Sequence, residues 1–525
     1  MIARFRPPFA VRRRDDPCAR GARRGTERAA AARIAFAPLA FAAAAFLAWT
    51  PAGFAAGTLV DAVKTGDRAA ALEMIARGAD VDAAEANGTT PLHWAVYRED
   101  VALVERLLDA GADPSVENDF GSTPMAEAAV TGNAEIIRLL LDAGADPESP
   151  NAEGQTALMA VARTGDLEAA KLLLDAGADV NATEHWGGQS ALMWAAVQCH
   201  PEMMRLLIEH GAEVDARGAV RNWQRRVTAE PRPKDLHRGG FTPLLYAARE
   251  GCVDGARVLV EAGADIDLAD PDRVTPLVLA LINMRFDTAA YLIEAGADVD
   301  KWDFYGRTPL YAAVDLSTLP RGGRPDVPST DETTALEVIR MLLERGANPN
   351  IQLKWRPPYR NVIFDRGGDN AVLTTGATPL LRASKVGDNL EAIRLLLAHG
   401  ARVDLPNEAG ITPLMAAAGM GHSDNPTRGR FNTEDDGIAA LRVLLEAGAD
   451  INARNADGQT ALHAAAQKGW TKVVKFLAAN GAELDVKDAA GRTPLDYASG
   501  NYRVRRGAPE AHPETAAVLE ELLGR

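Results

Sequence analysis

Residues able to do chemistry are sparse and scattered in this 525-residue chain. In QCHPE, residues 198–202, a thiol stands beside an imidazole, and Cys252 follows further on. Sulfur and nitrogen donors of that kind suit a metal site or thiol chemistry. The strings STDETT and NTEDDG, residues 329–334 and 432–437, gather hydroxyls and carboxylates, the donor types of a calcium loop. Neither keeps the ligand spacing of such a loop, and hydroxyls followed by acids are equally what the N-terminus of a helix requires, so capping is the reading the spacing favours. No GxSxG, HExxH, glycine-rich phosphate loop with lysine, or zinc-type pairing occurs. The expectation is a non-enzymatic protein without a cofactor. A metal- or thiol-dependent protein built on Cys199, His200 and Cys252 is the alternative.

A second kind of pattern is basic and aromatic. Residues 216–240, ARGAVRNWQRRVTAEPRPKDLHRGG, carry Arg217, Arg221, Arg225, Arg226, Arg232, Lys234 and Arg238 around Trp223. Residues 351–375, IQLKWRPPYRNVIFDRGGDNAVLTT, carry Lys354, Arg356, Arg360 and Arg366 with Trp355, Tyr359 and Phe364. Arginine beside aromatic rings is the usual composition of a protein interface anchor, and the prolines in both segments lower the entropy cost of docking. Two solvated loops that tuck their rings against the body are the plainer reading.

Charge argues against nucleic acid. The chain holds 57 basic and 72 acidic side chains, a net of −15. Its start is arginine-rich to Arg33, then apolar over residues 34–49, then small, the order of an export signal with cleavage near Ala55. That stretch contains ten arginines and three acids, so its loss leaves 47 basic against 69 acidic groups and a net of −22. A body so negative repels polyphosphate. The apolar run is short for a membrane span, so no stable span is expected after processing, and the expected location is periplasmic or secreted.

These segments must be held by something, and the rest of the chain shows what. Residues 88–120, GTTPLHWAVYREDVALVERLLDAGADPSVENDF, are repeated in register at 121–153, and further copies open at 154, 188, 240, 273, 306, 376, 410, 458 and 491, after a truncated copy at 57. Thr90 is placed to cap a helix and Pro91 to fill its first turn. In VALVERLLDAG, Val101, Val104, Leu107 and Leu108 form one stripe at helical spacing, and Gly111 ends the helix. Neither helix can bury its stripe alone, so each unit must stack on its neighbours. Cys199 and Cys252 fall near the same place in adjacent units. At a packing distance of about 8–10 Å between helices the spacing predicts no bridge between them.

The Thr-Pro-Leu-His turn at residues 90–93, the paired alanines, the Gly-Ala-Asp ends and the 33-residue period resemble the ankyrin repeat, over nearly all of residues 57–525. The resemblance implies an all-α solenoid of about twelve helix-turn-helix units with β-hairpin fingers. It also implies that the family's inter-repeat histidine survives only as His93 and His463. Four insertions interrupt the period, at 217–239, 315–334, 351–375 and 420–437. By family geometry the first and third extend fingers along the edge of the concave face, while the other two lie between the helices of a unit. Trp94, Trp194, Tyr246 and Tyr497 share one position and are expected to pack against adjacent repeats. Residues flanking the unit-opening glycine are expected at finger tips, with others following the paired alanines. The candidate contact residues are therefore Arg221, Trp223, Arg225, Arg226, Trp355, Tyr359, Phe241, Trp302, Phe304, Tyr305, Arg307, Tyr97 and Arg98. The function so implied is recognition of another protein, acidic near the two basic fingers. A passive structural spacer remains the bland alternative.

Overall fold

The computed structural model describes residues 57–222, 226–227, 234–235, 238–317, 331–357, 372–385, 389–421, 433–502 and 509–525. Contacts divide the chain into Met1–Ala56 and Gly57–Arg525, and every described residue lies in the second unit.

Helix follows helix because each unit carries its own start and stop signals. Thr90, Thr123, Thr156, Thr242, Thr275, Thr378 and Thr412 each accept the backbone N–H three residues on, and proline follows most of them. Second helices open on Asp67, Asp100, Asn133 and Asp166, which cap in the same way. The acid-rich strings do likewise. Thr334 forms a capping box with Glu337, opening Ala335–Glu344, and Thr433 forms one with Asp436, opening Glu434–Glu446. The last residues of the 420–437 insertion are thus already helix. Each cap is worth about 1 kcal/mol.

The stripes pack as one seam. Buried side chains from Leu59 to Leu519 belong to a single continuous core, in which Leu107, Leu140, Leu173, Leu207 and Leu259 repeat at the same position of successive second helices. Each contributes about 1.5–3 kcal/mol by leaving water.

Two backbone ladders bind unit to unit. Near the Gly-Ala-Asp turns, Asp82, Asp267, Asp300, Asn350 and Asn452 accept the N–H of Asp113, Asp298, Asn348, Arg402 and Glu483 in the following unit. Part of the acidic charge is therefore structural. At the finger tips, Asp119, His185, Ala219, Phe304, Lys354, Glu408, Ala456 and Ala489 donate N–H to a carbonyl of the preceding tip at 2.7–3.0 Å. The fingers are tight turns more than hairpins: among the described residues, strand is confined to Arg226–Val227 paired antiparallel with Lys234–Asp235. Within each tip an Asp or Asn closes the turn. Asp303 Oδ1 accepts from Tyr305 N and Arg307 N, both at 2.9 Å, and Asn118 does the same for Phe120 and Ser122.

Candidate functional site: the finger-tip edge

Cys199 and Cys252 form a disulfide with their Cα atoms 5.4 Å apart, contrary to the spacing argument. The error lay in treating their positions as equivalent. Cys199 closes Ala191–Gln198 in the left-handed conformation at φ 58°, whereas Cys252 is one position further along its unit, capping Val253–Glu261. Helix spacing does not apply at that turn. A Cβ placed on Gly165, in the slot of Cys199, would lie 2.9 Å from the ring of His200 in the next unit, and one on Gly251 would lie 2.7 Å from Arg285. A side chain in the first slot therefore points directly at the second. The thiols are not available as metal ligands, and His200 Nε2 donates to Arg163 O of the preceding unit at 3.2 Å. No cluster of metal-ligating side chains occurs among the described residues.

The two buried histidines carry the inter-repeat bonds. Thr90 N–H donates to His93 Nδ1, which fixes the ring proton on Nε2, and that N–H donates to Ser122 O at 3.0 Å. His463 repeats the arrangement with Thr460 and Arg492 O. Burial holds both imidazoles below the usual histidine range. The shared aromatic position is structural as expected for Tyr246 and Tyr497, whose hydroxyls accept from Gln189 and Gln459 of the preceding unit, each at 2.6 Å.

The candidate contact residues divide sharply. Tyr97 is 64% exposed, Phe304 44% and Trp355 61%, joined by Phe120 at 70% and Trp186 at 75%. Arg221 lies 4.7 Å over the Trp186 ring and donates to its carbonyl. Arg98 is exposed but donates to Lys64 O of the first unit. Phe241 and Arg307 are not contact residues: both are buried. Phe241 joins a small core with Leu245, Val274, Val278 and Leu279, and Arg307 is locked to Asp303 at 2.8 Å. The reason is alternation. The residue before the opening glycine points outward and the one after it points inward, as Val274, Ala377 and Ile411 also show. An Asp four residues before an Arg recurs at Asp488 and Arg492, and this spacing was a legible sign of an internal pair.

Trp223, Arg225 and Tyr359 lie outside the described residues, as does the side chain of Arg226. The bases of both basic segments are described, and both leave the stack from the tip ladder. Ala219 N bonds Gly187 O and Val220 bridges Gly239 at one, while Lys354 N bonds Tyr305 O and Gly376 N bonds Leu353 O at the other.

One cluster combines cations and rings on three successive tips. Arg273 occupies the slot that ten other units give to glycine, at φ 64°. Its guanidinium lies 3.8 Å from the centre of the half-buried Trp302 ring, and Lys354 Nζ lies 3.4 Å from the same ring. Tyr305 O accepts from the backbone N–H of both Lys354 and Trp355, and Phe304 packs edge-on against Tyr305. The signal that singles out this cluster is an arginine where the repeat otherwise demands glycine.

Models of ankyrin repeats in three copies match residues 59–151, 143–218, 244–353 and 433–506, one of ankyrin repeats in many copies matches 380–424, and one of the single ankyrin repeat matches 409–456. Among solved structures, the human ASB11 ankyrin repeat domain is similar at 23% identity, over 46% of this chain and 99% of that one, with a TM-score of 0.38. Curated proteins yield no match. The family matches span well over half the chain and coincide with the capped helix pairs and the tip ladder described above, and the chain belongs to the ankyrin repeat family.

Proposed function

We propose that this chain is a non-enzymatic scaffold that holds another protein against its finger tips and first helices. Ankyrin repeats generally mediate protein–protein interaction. One observation carries the reading to a particular surface. Among the described residues, the exposed large apolar side chains are Phe120, Trp186, Val220, Phe304 and Trp355 at fingers, Tyr97 and Val130 on first helices, and Leu522 on the last helix. No second helix before the last contributes one. Scattered apolar exposure needs no explanation, but exposure confined to one edge does. Aromatic anchors stiffened by a backbone ladder lose little freedom on docking.

Arg221 and Lys354 stand at the bases of the two basic segments, and the partner we propose presents acidic groups near them. Like charge on the remaining body turns away other acidic proteins. The disulfide supports export, because such bonds persist in oxidising compartments. No helix among the described residues is long and apolar enough to cross a membrane.

The test is affinity purification from the exporting cell with the intact chain as bait, beside a Trp186→Ala, Phe304→Ala, Trp355→Ala triple variant and a form lacking residues 221–238. The expected result is a partner held by the intact chain and lost from both altered forms at unchanged melting temperature. Equal capture by all three sinks the reading.

A further inference from the structure

We infer that Arg273, Trp302 and Lys354 form a receptor for an acidic segment of the partner protein, with Phe304 and Trp355 taking its apolar side chains. The inference rests on the proposed scaffold function and names the residues that receive the partner's acidic and apolar groups.

Three observations meet here. First, Arg273 departs from glycine at a left-handed position, where any side chain is disfavoured. Backbone strain of this kind persists where the side chain it delivers has a use. Second, two cations gather on one indole. Their distances of 3.8 and 3.4 Å to the ring centre put them on its two faces, about 7 Å apart with the indole between, close enough for a mutual repulsion that acidic groups on the pair would relieve. Among the described residues neither Arg273 nor Lys354 is ion-paired, although acids outnumber bases in the chain. Arg307, in the next unit, shows what a satisfied arginine looks like here: it is buried on Asp303. Third, the nearest exposed rings, Phe304 and Trp355, flank the cations on tips tied together by the Tyr305 carbonyl. An acidic segment that sets a carboxylate on each cation, with an apolar neighbour on the exposed rings, matches this arrangement. Polyphosphate does not, because it has no use for the rings and meets an acidic body.

The full chain is titrated with a fluorescein-labelled twelve-residue peptide of Glu, Asp, Gly and Leu, and with its Gln and Asn counterpart. The acidic peptide is expected to bind at least tenfold tighter, with the preference shrinking as salt rises. Arg273→Gly restores the residue of the other units, so it folds, and its melting temperature serves as the control. Together with Lys354→Gln it is expected to remove the preference, while Phe304→Ala with Trp355→Ala weakens both peptides alike. Equal binding of the two peptides, or an acidic preference that survives Arg273→Gly with Lys354→Gln, overturns the inference. So does tripolyphosphate binding more tightly than the acidic peptide. Partner capture separates the two levels. Capture that survives loss of the cations but not of the rings sinks the acidic receptor and leaves the scaffold; capture that survives both sinks both.

Discussion

Cys199 and Arg273 are both left-handed residues in slots that neighbouring units fill with glycine, and they spend the same strain differently. Cys199 lies at the turn between helices, where its side chain faces the next unit and closes a covalent link. Arg273 lies at a finger tip, where its side chain stays exposed and rests on a ring. A departure from the repeat pattern thus means different things at the two edges. At Cys199 it strengthens the stack through a bond that Glu99 and Met284, left-handed in the same slot, cannot make, and at Arg273 it sets a cation on a neighbouring ring.

Five measurements test that contrast. Cys199→Ala with Cys252→Ala is expected to lower stability to denaturant by about 2–4 kcal/mol, the usual worth of a structural disulfide, and reductant should do the same to the unaltered chain. Peptide binding at the tips should not change. Next come the histidines, which tie units together without a covalent bond. His93→Leu leaves the Ser122 carbonyl without its donor and should cost about 1–3 kcal/mol. Because burial lowers the pKa of His93 and His463 in the folded state, the unfolded chain binds the extra protons. Stability should therefore be full above the ordinary value of 6.5 and fall as pH drops below it, and the double leucine variant should flatten that slope. Arg273→Gly should raise stability by about 1 kcal/mol, the reverse of the turn edge; a loss would mean that the arginine is a structural strut. Trp355→Ala should stay within about 0.5 kcal/mol of the parent, as suits an exposed ring.

Much of the fold was legible because one unit states its own caps, stripes and stops again and again along the chain. Thr90 and Pro91 predict the helix that begins there, and the acids after Thr334 and Thr433 predict capping boxes. What stayed hidden depended on one-residue offsets and on side-chain direction. The disulfide required knowing that a turn slot faces the following slot of the next unit, a distance that helix spacing overstates. Phe241 and Arg307 were misplaced because the tip reverses direction at the glycine, so adjacent residues face opposite ways. Arg273 was visible as a sequence oddity, but its meaning needed Trp302 and Lys354 brought from two other units.

The Cys199–Cys252 bond also encloses the arginine-rich residues 217–239 within its loop. A trypsin-like protease that nicks the backbone there therefore releases no fragment, since both new chain ends hang from one sulfur bridge. Cleavage within residues 351–375 has no such tether. Where proteases abound, the first basic excursion can be cut and the molecule still travel as one piece.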